Sequence, residues 1–404
     1  MTATHQRERP YLFPAPIAPR PSARLGSRYL FFTNECVGLG HLRRTMTLAG
    51  AVRSVDPLGT SLIVTGSSTL LDESPPAGVD ILKLPTLARD ADGRYESRTL
   101  AMTPGSVLAM RADLACAAVM GFAPHVVVVD KLPLGLGNEL LPALTALRER
   151  SDCRIVLGLR DIEDDPAVVR RKWRDMLPVL RRFYDGVLVY GPKSGHDALS
   201  CMGWPDLQIP VEHVGYVAAP LPTTTPCDLP TDYLLVAGGG GVDGYELSSA
   251  VIEGVRLRPL GLPVVLVSGP LMPAHQHEDL VRRTADVEVS VHRARSDMAA
   301  VVVGARAVVT MAGYNTVSEA LRAAKPTLLV PRIAPSQEQL IRATGLAACG
   351  AAEMLHPDQL TPATLREALD RLLVRSRPTL ASGDYDGAVR AAHSLTALAI
   401  GRRP

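Results

Sequence analysis

The sequence predicts two doubly wound α/β domains facing a cleft, and three observations carry that prediction. Short apolar runs alternate with helical patterns along the chain, the signature of parallel βαβ units. The rhythm breaks once, at 217–231 (VAAPLPTTTPCDLPT), and then restarts. Both halves open the same way, with a strand, a glycine-containing turn and a helix. At 404 residues the chain also exceeds one ordinary core, since domains average roughly 150 residues.

Residues 1–27 are rich in Pro and Arg with no continuous apolar stretch, so they read as a flexible leader rather than a signal peptide. The first domain spans 28–216. Its predicted strands are 28–33 (RYLFFT), 62–65 (LIVT), 81–84 (ILKL), 126–129 (VVVV), 154–157 (RIVL) and 187–190 (VLVY), with a helix following the first strand through Arg53. The Pro- and Thr-rich segment 217–231 is the linker. The second domain, 232–382, carries strands at 233–237, 264–267, 287–291, 307–310 and 327–330 and a helix at 245–256. Residues 383–404 form a closing helix, a candidate for packing back on the first domain.

Composition narrows the function. Apolar residues make up 47% and charged residues 21%, which excludes a disordered chain. Aromatics are only 4%, too few for a base-stacking RNA binder or a carbohydrate-stacking module. A net charge of +2 predicts no nucleic-acid partner. The six cysteines are scattered without zinc spacing, so neither a metal site nor a disulfide framework is expected. No apolar run reaches the roughly 18 residues of a membrane span. A cytoplasmic enzyme without an integral membrane segment is the expectation.

Three turns could carry chemistry. In the first, at 34–44, Gly38 and Gly40 permit close backbone approach ahead of a helix N-terminus that favours an anion, and His41 opens the helix. This is not a dinucleotide fingerprint, because Arg43 stands where a third glycine is needed. His41 is a candidate base, or a packed imidazole. The second turn places four glycines at 238–241, for phosphate approach or as a hinge. The third, 310–319, follows a strand and opens a helix, so Gly313 to Thr316 offer amides to an anion. A phosphate there would bring an attached ribose toward Glu319, one turn further along. The same Thr316–Glu319 spacing also suits a capping box that needs no ligand.

Other candidates are weaker. The polar cluster after Pro331, through Glu338 and Gln339, could hold sugar hydroxyls or simply be a solvated helix start. Asp90-Ala91-Asp92 reads as a surface turn rather than a metal-binding pair of acids. His275-Gln276-His277 reads as an exposed loop. Asp130-Lys131 and Arg160-Asp161 each follow a buried strand and could face the cleft, or pair with other charges.

The stretch from Asp297 through Glu319, with Pro331 and 339–343, resembles the donor-binding half of family 28-type glycosyltransferases. From about Arg28 onward the chain is similar to a bacterial group of predicted glycosyltransferases sharing GLGHLRR (38–44), DKLPLG (130–135), LGLRDI (157–162), GYNT (313–316) and EQLIRA (338–343). The resemblance implies a GT-B fold, two Rossmann-like domains with the acceptor on the first and the nucleotide sugar on the second. It implies that the backbone near Arg295 meets the base and that Glu319 meets the ribose. Gly240, Gly241, Gly313, Asn315 and Thr316 would meet the diphosphate, and Glu338 and Gln339 the sugar. His41 would face the reacting centre as general base, with Asp130 and Asp161 as rivals, and Gly38, Gly40, Arg44 and Arg160 would lie on the acceptor side. Arg342 and Glu338 depart from the Asn and Gln of the cell-wall members, so their sugar and lipid acceptor do not carry over.

The expected reaction is inverting, metal-independent glycosyl transfer from a UDP or dTDP sugar to a hydroxyl, with no further cofactor. A hydrolase or 2-epimerase of the same fold and a non-catalytic nucleotide-sugar binder are the alternatives.

Overall fold

The computed structural model describes residues 26–33, 40–67, 75–89, 94–193, 198–204, 207–376 and 384–401. Its strands, in chain order, are β1 (Arg28–Thr33), β2 (Thr60–Thr65), β3 (Val79–Lys83), β4 (Leu87–Arg89), β5 (Tyr95–Ser97), β6 (Val126–Asp130), β7 (Arg154–Arg160), β8 (Gly186–Tyr190), β9 (Val211–His213), β10 (Leu234–Ala237), β11 (Val264–Val267), β12 (Val289–His292), β13 (Ala307–Thr310), β14 (Thr327–Leu329) and β15 (Glu353–Met354). The first sheet runs β3-β2-β1-β6-β7-β8-β9 and the second β12-β11-β10-β13-β14-β15. Within each sheet all pairings are parallel, and β4 and β5 form a separate antiparallel pair.

The apolar runs are buried on both faces, as parallel strands covered by helices must be. Along β1 and β6 alternate residues serve opposite layers. Leu30, Phe32, Val127 and Val129 belong to one core, while Tyr29, Phe31, Val126 and Val128 belong to the other. The second core includes Leu42, Leu48, Ala49 and Val52 of the Gly40–Val55 helix and Ala388, Ala391, Ala392, Leu395 and Ala399 of the Gly387–Ile400 helix. The last helix therefore packs against the first, on the first sheet, and Tyr29 donates to Thr396 at 3.4 Å. It begins at Gly387, four residues into the segment expected from sequence to form it.

Strands β4, β5, β9 and β15, two or three residues each, escape periodicity because they are too short to display it. A larger correction concerns Pro104–Phe122. It is long and apolar enough to cross a membrane, with mean hydropathy 1.4 over its most apolar window. Arg111 and Asp113 interrupt the run, so a count of unbroken apolar residues misses it. Its row of Val107, Arg111, Ala115 and Val119 packs inward, where Arg111 donates to Glu139 from Nε at 2.5 Å and from Nη2 at 2.9 Å.

Candidate functional site

In parallel sheets the carboxyl ends of the strands share one edge, and ligands bind beyond it. Here the two carboxyl edges meet. From the first domain come His41 and Arg44 (the helix after β1), Asp130 (end of β6), Arg160 and Asp161 (end of β7) and Tyr190 (end of β8). From the second come the starts of the Tyr314–Arg322 and Glu338–Ala348 helices.

His41 Nδ1 lies 2.6 Å from Asp130 Oδ2. Burial works against the charge of Asp130, but Arg44 and then His41 outweigh it and hold the carboxyl well below its usual range. An ionised carboxylate only accepts hydrogen bonds, so Nδ1 carries the proton and Nε2 is left as the basic nitrogen. Burial pushes the His41 pKa below its ordinary value. Asp130 opposes that shift, while Arg44 and Arg160 add to it. His41 is thus a neutral imidazole in a fixed tautomer. Asp130, expected as a rival base, is its partner. Asp161 accepts from Arg342 Nη2 at 3.1 Å across the domain boundary.

Gly313 N-caps the Tyr314–Arg322 helix without a side-chain cap. Thr316 is therefore its third residue and Glu319 its sixth, which removes the capping-box reading. Glu319 Oε1 accepts from Arg43 Nη2 at 2.8 Å. Asn315 Nδ2 donates to the Gly40 carbonyl at 3.0 Å, so the start of this helix abuts the residue preceding His41.

Arg160 and Arg44 are not side chains turned out toward an acceptor. Arg44 is 3% exposed, behind His41. Arg160 spans Glu163 (3.2 Å) and Glu338 (2.6 Å). Glu338 also accepts from Arg342 at 3.0 Å, and Arg342, 2% exposed, donates to the Ala312 carbonyl at 3.0 Å. Burial works against the Glu338 charge, yet Arg160, Arg342 and Lys131 hold its pKa below the usual range. Gln339 accepts from the Arg332 amide at 3.0 Å and so closes the loop after β14. Gln337 donates its amide to Asp164 at 3.0 Å, one more link between the domains.

The glycine turn after β10 has two kinds of position. Gly241, at φ +97°, crosses the loop after β11: a Cβ there would lie 2.7 Å from the Ser268 carbonyl and 2.8 Å from the Met272 amide nitrogen. Part of the glycine demand is thus loop packing. Around Gly239 nothing lies within 4 Å of a Cβ, and Gly240 meets only Leu271 at 3.7 Å. Arg295 is engaged by Asp228 and Asp297. His277 is no exposed loop residue: it lies in the Ala274–Arg283 helix with Nδ1 2.9 Å from Ser268 Oγ. Gly38 and the Asp90-Ala91-Asp92 turn lie outside the described residues. Among the described residues no three His, Cys, Asp or Glu side chains gather closely enough to hold a metal ion.

Sequence reasoning gave no role to Arg43, Tyr190 or Tyr314. Tyr314 OH donates to the Tyr190 carbonyl and accepts from the Val217 amide, each at 2.9 Å, which ties the linker to both domains. The available signal was Arg44 in the row Arg44–Leu48–Val52: a charge in an apolar stripe requires a buried partner.

Residues 233–384 match the family model for the glycosyltransferase family 28 C-terminal domain. Among solved structures, the chain is similar to MurG of Acinetobacter baumannii (16% identity, 92% of this chain and 97% of that one, TM-score 0.53). It is similar to CalG4, the calicheamicin glycosyltransferase (19% identity, 92% and 95%, TM-score 0.53). It is also similar to UGT2 of Phytolacca americana, solved with UDP-2-fluoro-glucose and pterostilbene (15% identity, 92% and 94%, TM-score 0.59). The two sheets and their facing carboxyl edges are the GT-B fold.

Proposed function

We propose that the chain, which has the GT-B fold and matches the glycosyltransferase family 28 C-terminal domain over residues 233–384, is a glycosyltransferase that moves a sugar from a UDP or dTDP sugar to an acceptor hydroxyl, with inversion and without a metal. The observation that carries this reading is His41, held by Asp130 at 2.6 Å and set beside the start of the Tyr314–Arg322 helix through the Asn315–Gly40 contact.

The acceptor hydroxyl attacks the anomeric carbon opposite the leaving diphosphate. A new C–O bond forms as the bond from the anomeric carbon to the phosphate oxygen breaks, and His41 Nε2 takes the hydroxyl proton. Asp130 keeps Nδ1–H in place and stabilises the imidazolium that results. Charge accumulates on the diphosphate, where amides of Gly313, Asn315 and Thr316 and of Gly240 and Gly241 receive it. Glu319 takes the ribose hydroxyls, the backbone near Arg295 the base, and Glu338 and Gln339 the sugar. We assign the enzyme to the cytoplasm of a bacterium, in secondary-metabolite or envelope glycoconjugate synthesis.

A thermal-shift screen tests the donor class. UDP or dTDP at about 100 times its Kd adds about 2.7 kcal/mol of stability, with little effect from ADP or GDP. Donor turnover that needs a hydroxyl acceptor supports transfer. Equal turnover without one means a hydrolase, and no stabilisation by any nucleoside diphosphate overturns the donor assignment.

A further inference from the structure

Resting on the assignment of His41 as base, we propose that Arg44 is a positioning residue for the reaction, and that Tyr314 makes its grip on Asp130 depend on docking of the second domain. Arg44 reaches both carboxylate oxygens of Asp130 from Nη2, at 2.8 and 2.7 Å. The same nitrogen lies 3.0 Å from His41 Nδ1. That nitrogen already donates to Asp130, so the Arg44 contact sets one donor against another. Arg44 holds the carboxylate, and the carboxylate holds the imidazole.

The guanidinium lies over two rings. Its central carbon lies 5.3 Å from the centre of the Tyr190 ring and 5.4 Å from that of Tyr314. Two aromatic faces suit a planar cation and would hold a lysine ammonium less well. The Tyr190 ring fits because residue 158 is glycine: a Cβ there would fall 2.1 Å from the Tyr190 hydroxyl oxygen. Tyr190 belongs to the first domain, and Tyr314 is the first residue of the second domain's Tyr314–Arg322 helix. The helix assigned to the donor diphosphate thus supplies one wall of the cage that orients the base. Separation of the domains would open one face of Arg44 to water and loosen Asp130.

Among the described residues, the charged groups that act on His41 are Arg44 on its own helix, Asp130 at the end of β6 and Arg160 at the end of β7, while Tyr190 at the end of β8 and Tyr314 from the second domain face Arg44. Removing the Arg44 charge takes away one of the two cations that oppose Asp130 at His41, so the imidazole must hold its proton to higher pH. Opening the Tyr314 wall moves it the same way, by less, through hydration.

The test is a histidine titration by NMR on full-length protein labelled at histidine, with the His41 signal assigned by its loss in His41→Ala. The expected wild-type signal is an Nδ1–H tautomer with a midpoint below the ordinary histidine value. Arg44→Gln should raise the midpoint by about one unit or more. Arg44→Lys should leave it near wild type, and Tyr314→Leu should raise it less than Arg44→Gln does. With UDP-glucose as probe and UDP release as readout, Arg44→Gln should lower kcat by about 10²-fold with little change in KM. Arg44→Lys should recover part of that loss.

A midpoint unmoved in folded Arg44→Gln overturns the proposal. Should that variant not fold, an unmoved midpoint in Tyr314→Leu overturns it instead. The titration needs no substrate, so it fails separately from the assignment of glycosyl transfer.

Discussion

Three adjacent glycines in the turn after β10 should respond differently to alanine, because the structure gives each a different surrounding. Gly241→Ala combines a φ of +97° with backbone atoms at 2.7, 2.8 and 2.9 Å from the new Cβ. Backbone strain and overpacking each cost about 1–3 kcal/mol, so the loss should be at least about 2 kcal/mol. Gly239→Ala meets open space at a φ of +63° and should cost about 1–2 kcal/mol, from the left-handed backbone alone. Gly240→Ala has neither problem, its nearest neighbour being the Leu271 side chain at 3.7 Å. Its stability should stay within about 0.5 kcal/mol of wild type.

Melting followed by circular dichroism measures the first two, and calorimetric UDP binding adds the third. If a diphosphate rests on this turn, Gly240→Ala should bind UDP several-fold more weakly while remaining as stable as the parent. Unchanged UDP affinity in Gly240→Ala would refute the diphosphate contact and leave loop packing as the sole reason for glycine here. A Gly241→Ala variant as stable as wild type would refute the packing argument.

Glu319→Gln should weaken UDP binding by about 1.5–3 kcal/mol, the worth of hydrogen bonds to a charged group. Glu319 itself is buried beside a partly exposed Arg43, so stability is measured alongside affinity; a lower melting temperature with unchanged Kd would make Glu319 a purely structural residue. Acid stability follows from Asp130, Glu163 and Glu338, whose carboxyls all have pKa values lowered in the fold. Their contribution is present above the ordinary carboxylate value and is lost as pH falls below about 4. Glu338→Gln leaves Arg160 and Arg342 undercompensated, so melting at neutral pH should drop and the acid decline should become shallower. Melting curves that shift in parallel at every pH would contradict that.

The fold was legible because long buried parallel strands such as β6 and β7 announce themselves by apolar runs, and the Pro- and Thr-rich linker breaks the rhythm. The placement of the candidate site residues was legible too, since Gly40-His41 and Gly313–Thr316 follow strands and open helices. What stayed hidden was pairing across the cleft. Glu338 and Gln339 look alike in sequence, as polar residues at a helix start, yet Glu338 bridges two arginines while Gln339 closes its own loop. Arg43 and Arg44 are adjacent and identical, but a rotation of about 100° per helical residue sends one to Glu319 and the other into the cage behind His41. Only three-dimensional placement separates these two arginines, because their partners lie 276 and 86 positions away.

The most direct test of the central claim is His41→Ala, with UDP affinity and turnover measured on the same preparation. Turnover is read as UDP release from a UDP sugar in the presence of a panel of hydroxyl acceptors. Loss of a general base lowers the rate by about 10²–10⁴-fold, while UDP, which we assign chiefly to the second domain, should bind within a few-fold of wild type. Near-normal turnover in His41→Ala would contradict the account, and the base would then have to be sought among the carboxylates of the same cleft.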